Sequence, residues 1–343
     1  MQKIAITQGE CGSINYELLV RVFLDSAFLE TLQPVLFGSS KILSMVAKSM
    51  GQPLFLQKAK KINIDEVIPV SENISYSRGT ATKTSGEMAV KALENAVQQL
   101  KPVAEGGALL TLPVDGDAIR LSRPEFKNQA SLIASYFSEG NPYRMFLSEN
   151  LKTTFMLAQS GLTGGLAAVS AAAVKKRILA LHETFKRDFS IFSPRIAVLS
   201  MNEDVKATAL CENDKQILTP VINELQVNGN AVFGPYTTAQ ALEMIDNFDV
   251  FLCIYREQQE LLFKDKETSS LCFFTAGLPI VHVEPHLPLE MGQVSDWQAL
   301  EIDLRNAIYW GIDILSNRQE NAVLLSNTLG FSNKDFVDVN EAK

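Results

Sequence analysis

The residues Lys3-Ile4-Ala5-Ile6-Thr7 begin the pattern that decides the fold class, because they form a short apolar run of the kind found in buried strands. Residues 15–28 then show a helical period, with apolar side chains three and four positions apart. Residues 34–38 form a second apolar run, and Gly38-Ser39-Ser40 follows as the predicted start of a helix. Strand and helix therefore alternate from the N-terminus onward, which is typical of layered α/β proteins.

The same alternation continues through the rest of the chain. Thr84 and Glu87 have the spacing of a capping box, which predicts that a helix begins there. Apolar periodicity predicts further helices at 174–189, around 218–225 and around 304–312. Apolar runs predict further strands at 108–114, 153–158, 166–170, 195–201, 250–255, 271–274 and 279–283. We therefore predict an α/β fold with largely parallel sheets and an exposed excursion over 60–82.

Composition narrows the class of protein and of partner. The chain has 343 residues, of which 46% are hydrophobic and 20% are charged, so it is an ordinary globular sequence long enough for two domains. The formal net charge of −8 would repel nucleic acid and anionic membranes. No apolar run reaches the length of about 18 residues that a membrane span needs. We therefore expect neither nucleic acid nor a membrane as partner.

The four cysteines indicate a reducing compartment. Cys11, Cys211, Cys253 and Cys272 lie far apart, and none forms a C-x-x-C pair or a zinc-like spacing. The N-terminal residues lack the apolar stretch of a signal peptide. We therefore predict a cytoplasmic protein.

Common catalytic motifs are absent from the sequence. It has no G-x-G-x-x-G after the first strand, no P-loop, no H-E-x-x-H, no G-x-S-x-G and no EF-hand loop. The glycine-rich residues 161–165 are interpreted as a loop between strands rather than a phosphate cradle, and the basic residues 175–177 as a solvated helix face. Among the three histidines, His282 and His286 are better candidates for a site than His182.

Several stretches together resemble the 4-hydroxythreonine-4-phosphate dehydrogenase (PdxA) family. Residues 6–10, Ile-Thr-Gln-Gly-Glu, are similar to the start of that family's I-T-x-G-E-P-A-G-I-G motif, although Cys-Gly-Ser-Ile-Asn follows here. Residues 110–114, Leu-Thr-Leu-Pro-Val, resemble its T-G-P-V strand. Residues 194–225 are similar to its central strand and helix, and the block from Tyr255 to Gly277-Leu278-Pro279 has its spacing. The resemblance covers nearly the whole chain.

The resemblance implies a two-domain α/β/α subunit of the isocitrate/isopropylmalate dehydrogenase type, with the active site in a cleft between the domains. The first domain would comprise residues 1–125 plus 271–343, and the second would comprise residues 126–270. A second subunit completes the site in this family. We therefore predict a homodimer, or a heterodimer with an active relative, and apolar residues at 153–173 as candidates for the interface.

The resemblance also implies NAD and a divalent metal held on three imidazoles, which would oxidise a phosphorylated hydroxy-amino acid. The three metal-ligand positions fall on Ser170, Asp204 and Arg256. The histidine of the family's G-H-T-E motif falls on Gln129, and the basic pair of T-G-P-V-H-K falls on Asp115-Gly116. A serine hydroxyl is a poor metal ligand and an arginine repels a cation, so the sequence predicts lost or redirected chemistry.

Some features of the implied site are retained. Lys264 stands at the position of a substrate-contacting lysine, and Glu257 keeps a carboxylate beside the third ligand position. His282 takes the place of an arginine and is expected to keep some cationic character at low pH. His286 lies in the stretch that contacts the cofactor in the family. Lys264, Gln129 and His282 are therefore the candidate substrate-binding residues, and His286 is the candidate cofactor-binding residue.

Three functional hypotheses follow from this pattern. The first is a catalytically degenerate family member that acts as a binding or partner protein and retains affinity for an anionic small molecule. The second is an enzyme with changed chemistry, in which Asp115, Asp204 and Glu257 hold Mg²⁺ and Lys264 binds an anionic substrate. The third is an ordinary NAD- and metal-dependent dehydrogenase of this family, acting in pyridoxal phosphate biosynthesis.

Overall fold

The computed structural model describes residues 2–25, 27–58, 62–67, 76–101, 107–138, 140–157, 169–202, 212–264 and 271–330. Its strands in chain order are β1 (Gln2–Thr7), β2 (Leu32–Gly38), β3 (Asn63–Glu66), β4 (Ala108–Thr111), β5 (Tyr143–Leu147), β6 (Lys152–Leu157), β7 (Ile196–Leu199), β8 (Val232–Tyr236), β9 (Val250–Tyr255), β10 (Cys272–Ala276) and β11 (Val281–Pro285).

The helices of the described residues alternate with these strands. They are α1 (Asn15–Phe23), α2 (Phe28–Thr31), α3 (Ser40–Ser49), α4 (Phe55–Lys58), α5 (Lys83–Leu100), α6 (Gly116–Arg120), α7 (Gln129–Ser135), α8 (Ala171–Asp188), α9 (Thr219–Val227), α10 (Thr238–Glu243), α11 (Arg256–Phe263) and α12 (Trp297–Gly330). A π-helical turn at Asp214–Leu218 precedes α9. Within this part of the chain, no helix is both long and apolar enough to cross a bilayer. The predicted α/β class is confirmed.

One mixed sheet holds all the described strands. Its order is β3-β2-β1-β4-β11-β10-β5-β6-β9-β7-β8. Most neighbouring pairs are parallel, as the sequence predicted, but β10 runs antiparallel to both of its neighbours, and β5 runs antiparallel to β6. The antiparallel strands lie at the centre of the sheet, where Phe273 pairs with Phe146 and Thr275 pairs with Arg144.

The strand order separates the sheet into two sequence-defined halves. Strands β1 to β4 with β10 and β11 come from residues 2–111 and 272–285, and strands β5 to β9 come from residues 143–255. The β10–β5 pair joins the halves, so the sheet is continuous. The proposed division into domains at 125 and 271 stays a prediction. Helix contacts also join the halves, because α12 packs against α8 and Arg318 binds Asp188.

One local prediction from the sequence is wrong, and a second lies mostly outside the described residues. Helix α5 begins at Lys83 rather than after Thr84, because Thr82 and Ser85 form the capping box. The Ser85 hydroxyl also donates to the carboxylate of Glu10, at 2.8 Å, which fixes this end of the helix. Of the strand predicted at 166–170, residues 166–168 lie outside the described part of the chain. Ser170 is not in a strand and caps α8 instead, accepting a hydrogen bond from the amide of Ala173.

Candidate functional site

The glycine-containing loop after β1 is a structural element. Gly9 has a φ of +63°, and an added Cβ would collide with the carbonyl oxygen of Pro113. The Glu10 carboxylate is fully buried and accepts hydrogen bonds from the amide of Gly12 and the hydroxyl of Ser85, both at 2.8 Å. Burial raises the pKa of Glu10, and these hydrogen bonds oppose that shift. The family-like Ile-Thr-x-Gly-Glu segment therefore fixes the loop and presents no free acid.

His282 is a buried structural residue. Its Nε2 lies 3.0 Å from the Thr111 hydroxyl and its Nδ1 lies 2.9 Å from the Thr275 hydroxyl. The side chain has no exposed surface, and burial, together with the charge of Arg144, lowers its pKa to about 3. The expectation that His282 binds substrate as a cation is therefore wrong, since both ring nitrogens are occupied and the ring stays neutral.

Gln129 also bonds within the fold. It is the first residue of α7, and its amide nitrogen donates to the carbonyl oxygen of Leu112 at 3.1 Å. Its side chain is nearly buried. The neighbouring Asn128 caps α7 by accepting from the Ser131 amide at 2.8 Å. Gln129 therefore ties α7 to the chain after β4 instead of pointing into the cavity described next.

A cavity of about 540 Å³ lies where the two halves of the sheet meet. The strands β5, β6 and β10, the residues around α7 and the start of α11 contribute its walls. Its polar lining includes Asn128, Ser131, Arg144, Arg256 and Thr275, and its apolar lining includes Phe146, Phe155 and Phe273. The structure thus brings Arg256, which the sequence resemblance places at a metal-ligand position, to a cavity that also contains a second arginine.

Arg144 is held by a carboxylate and by aromatic rings. Its Nη2 donates to Oε2 of Glu284 at 2.5 Å. Its guanidinium carbon lies 4.0 Å from the ring centroid of Phe273 and 6.0 Å from that of Phe146. Burial raises the pKa of Glu284, and the charge of Arg144 opposes that shift. Arg144 is therefore a fixed cation on the cavity wall, with its side chain 36% exposed.

Arg256 is more exposed and is the first residue of α11. Its Nε lies 3.1 Å from Oε1 of Glu260, one helical turn later. The position of this helix is fixed by Gln258, whose Oε1 accepts from the amides of Ile254 and Tyr255 and whose Nε2 donates to the carbonyl of Ser200 at 2.7 Å. The buried Gln258 therefore holds the N-terminus of α11 against the end of β7, and this fixes the backbone position of Arg256.

Lys264 and His286 do not line this cavity. Lys264 is exposed at the end of α11, about 12 Å along the helix axis from Arg256 at 1.5 Å per residue. His286 is exposed, and its ring packs edge-on against Phe273 with centroids 5.2 Å apart. Partial loss of hydration, and then the charge of Arg144, lower the pKa of His286. The structure therefore does not bring Lys264, Gln129 and His282 together.

Comparison with known proteins identifies the family. The family model described as pyridoxal phosphate biosynthetic protein PdxA matches residues 30–289. The chain belongs to the PdxA family. The 4-hydroxythreonine-4-phosphate dehydrogenase of Bacteroides thetaiotaomicron is 26% identical over 343 residues, covering 95% of this chain and 92% of that protein. The one from a Sulfurihydrogenibium species is 25% identical over 297 residues, covering 83% of this chain and 89% of that protein.

Solved PdxA structures share the fold. The 4-hydroxythreonine-4-phosphate dehydrogenase from Klebsiella pneumoniae superposes with a TM-score of 0.75 and 17% identity, covering 91% of this chain and 100% of that chain. At this identity the likeness establishes the fold alone. The family and the fold class predicted from the short motifs are therefore both confirmed.

Two of the three positions that the resemblance assigns to metal ligands hold groups that do not fit a divalent metal. The Ser170 hydroxyl is engaged as the cap of α8, accepting from the Ala173 amide at 3.2 Å, and Arg256 is a cation. Asp204 lies outside the described residues. Across the part of the chain that the structure describes, no three histidine, cysteine, aspartate or glutamate side chains form a group able to hold a metal ion. No catalytic step through a bound metal is therefore derived for this chain.

One carboxylate of the second proposed set, Asp115, is engaged elsewhere in the fold. Asp115 caps α6, because its Oδ1 accepts from the Ala118 amide at 2.8 Å. Glu257 lies in the first turn of α11, and neither residue lines the cavity. NAD stays a prediction from the resemblance, with His286 as its candidate contact.

Sequence reasoning missed the residue that gives the cavity its second charge. Arg144 belongs to the segment Tyr143–Leu147, which was not predicted as a strand. Buried and half-buried residues alternate along this strand, and Arg144 shares one face with Phe146. An arginine and a phenylalanine two positions apart on one strand face were the available signal.

Proposed function

We propose that this PdxA-family protein does not carry out the metal-dependent oxidation and acts instead as a binding or partner protein for an anionic small molecule. The observation that carries this proposal is the placement of Arg256. This residue stands at a metal-ligand position of the family, lines the cavity and forms an ion pair with Glu260. A guanidinium at that position supplies a positive charge where the family chemistry needs a lone-pair donor.

Electrostatics supports the loss of the metal. A divalent cation about 5 Å from a guanidinium is repelled by several kcal/mol at an effective dielectric constant of about 20. The remaining described ligand position, Ser170, offers a neutral hydroxyl that is already hydrogen-bonded. Neither group replaces an imidazole as ligand. The hydride transfer would therefore lack the Lewis acid that stabilises its developing alkoxide.

The hypothesis of an enzyme with changed chemistry has less support. It requires Asp115, Asp204 and Glu257 to converge and Lys264 to face the same ligand. Asp115 instead caps α6, and Lys264 lies at the far end of α11 from the cavity. The observations favour an arginine-lined binding cavity over a carboxylate-held Mg²⁺ site.

We also propose that the protein works as a homodimer, or as a heterodimer with an active relative, in the cytoplasm. The resemblance to dimeric PdxA proteins motivates the assembly, and Met156 and Leu157 remain half-buried in the single chain. Val169, by contrast, is buried within the subunit, and Phe155 packs near Phe146 with ring centroids 6.2 Å apart. The described cysteines Cys11, Cys253 and Cys272 are buried and form no disulfide, which suits a reducing compartment.

An NADH assay tests the proposed loss of oxidation. The purified full chain is mixed with 4-hydroxythreonine-4-phosphate and NAD, with Zn²⁺, Mg²⁺, Mn²⁺ or Co²⁺ supplied in turn. We expect no NADH above the background without enzyme, because losing several kcal/mol of alkoxide stabilisation slows the step by orders of magnitude. The Bacteroides thetaiotaomicron relative serves as the active control. Chelator-sensitive turnover within about a hundredfold of that control, or about 2.7 kcal/mol in activation free energy, would overturn the proposal.

A further inference from the structure

We propose that the cavity between the sheet halves binds a small molecule that carries a carboxylate or phosphate on a flat, apolar body, and that Arg144 and Arg256 bind its anionic group without a divalent metal. This inference rests on the proposed function and specifies the chemistry of its ligand. Carboxylate and phosphate share the geometry that the forked guanidinium donors match.

The two arginines of the cavity have more N–H donors than their partners Glu284 and Glu260 occupy. Arg144 uses one nitrogen, Nη2, in its hydrogen bond to Glu284, although a guanidinium has five N–H groups. Arg256 has a single ion-pair distance within 4 Å among described residues, from Nε to Glu260. The side chains of Arg256 and Glu260 are 55% and 61% exposed, so this surface pair is weak and a ligand anion can compete with it.

The lining of the cavity is positively charged. Among the described residues that line it are two arginines, Arg144 and Arg256, and no aspartate or glutamate. Their partners Glu284 and Glu260 are not part of the lining. The wall therefore presents guanidinium groups to an anion.

Phenylalanine rings form an apolar wall of the cavity beside Arg144. Phe146 and Phe273 meet edge to face with centroids 4.5 Å apart, and Phe155 lies 6.2 Å from Phe146. The pairing of Phe273 with Phe146 and of Thr275 with Arg144 puts the rings and the arginine on adjacent rows of one sheet face. Aromatic edges and faces pack well against another flat ring. The volume of about 540 Å³ is that of a site for a small organic molecule.

Isothermal titration calorimetry of the full chain with defined probes tests this inference. Phenyl phosphate and benzoate carry the two anionic groups on one ring, while inorganic phosphate and benzyl alcohol each supply only half of the proposed ligand. We expect at least one ring-bearing anion to bind more tightly than either half, with the same affinity in EDTA and in Mn²⁺. Preference for phenyl phosphate or for benzoate identifies the anionic group.

Substitutions of residues that line the cavity test whether the ring-bearing anion binds there. Arg256→Gln is expected to lower the affinity for the ring-bearing anion at least about tenfold, since a charge-assisted hydrogen bond is lost. Arg256→Lys should lose less, and Arg144→Lys should lose affinity while keeping a charge opposite Glu284. Arg120→Gln is the matched control, because Arg120 forms a similar exposed pair with Asp117 and does not line the cavity. Phe155→Leu should weaken phenyl phosphate but not inorganic phosphate, with Phe233→Leu as its control.

Three results would contradict binding of an anion by Arg144 and Arg256. The inference is wrong if neither ring-bearing anion binds, if Arg256→Gln behaves as Arg120→Gln does, or if EDTA abolishes binding. These failures are distinct from failure of the proposed function, which metal-dependent NADH production would show. A chain with no NADH production and no probe binding overturns this inference alone.

Discussion

Arg256 and Glu260 form an ion pair across one turn of α11, with 3.1 Å between Nε and Oε1. The resemblance to the PdxA motifs implies a metal-binding histidine at the position of this arginine. Because the buried amide of Gln258 fixes the start of α11, the guanidinium is held in the cavity wall. Under the proposed function, a cation stands where the implied site needs a neutral lone-pair donor.

The buried ion pair between Asp188 and Arg318 should contribute strongly to stability. Asp188 is fully buried at the end of α8 and accepts from Nε and Nη2 of Arg318 at 2.7 and 3.2 Å. Arg318→Leu leaves this carboxylate with Arg187 as its remaining ion-pair partner among described residues. We expect the free energy of unfolding to fall by about 3 kcal/mol in urea denaturation at neutral pH.

Arg120→Leu provides the control for the Arg318 variant. It removes an exposed pair with Asp117, and its effect should stay within about 0.5 kcal/mol. Equal losses in the two variants would show that the Asp188–Arg318 contact does not fasten α8 to α12.

His282 should make stability depend on pH. Its pKa in the folded protein, about 3, lies below the value of 6.5 for a solvated histidine, so protonation favours the unfolded state. This contribution is complete above about pH 6.5 and is lost as the pH falls towards 3, at about 1.4 kcal/mol per pH unit. Between pH 6.5 and pH 5 the loss is about 2 kcal/mol.

Replacing His282 tests its contribution to the pH dependence of the unfolding free energy. Glu284, whose Oε1 lies 3.6 Å from Nε2 of His282, and Arg144 are the charged groups facing the ring, and both remain in His282→Gln. The change in unfolding free energy between pH 6.5 and pH 5 should therefore be about 2 kcal/mol smaller in this variant than in the parent chain. His182→Gln, which removes a half-buried histidine, is the control. Identical pH dependence in His282→Gln and the parent chain would show that His282 is protonated in the fold.

The proposed assembly has a direct physical readout. For the proposed homodimer, light scattering of the purified chain at micromolar concentration should give twice the 37.8 kDa mass of one chain. Met156→Glu on the half-buried end of β6 should lower that mass if this segment reaches the interface. A 37.8 kDa species at these concentrations would contradict the homodimer. The heterodimer would then be tested by co-purification with an active relative.

Apolar runs made much of the fold predictable from the sequence. Strand β9 is a continuous apolar segment that is almost entirely buried, and β1 and β2 contain shorter buried apolar runs, so all three carry a strong local signal. Strand β5 carries no such signal, because its buried and half-buried residues alternate and include Arg144. The antiparallel placement of β10 was not predictable either, because direction depends on pairing with distant strands rather than on local pattern.

The candidate site was predictable only in part. The spacing of the family motifs predicted Arg256 and Ser170 as ligand positions, and the structure shows that Ser170 caps α8 and that Arg256 pairs with Glu260. The motif spacing did not reveal the hydrogen bonds of two other candidate residues. His282 bonds to Thr111 and Thr275, and Gln129 bonds to the Leu112 carbonyl, and such bonds join residues that are separated in the chain. Position in a motif thus identified where a side chain stands but not what it contacts.

Metal binding by the purified full chain is the most direct test of the proposal that this chain has lost the metal site. The chain is stripped with a chelator, dialysed and titrated with Zn²⁺, Mn²⁺, Mg²⁺ and Co²⁺ in a calorimeter, beside the Bacteroides thetaiotaomicron relative treated identically. We expect saturable uptake by the relative and none by this chain, because Arg256 and Ser170 stand where the resemblance implies imidazole ligands. Saturable binding of one metal ion per chain, accompanied by a rise in melting temperature, would contradict it.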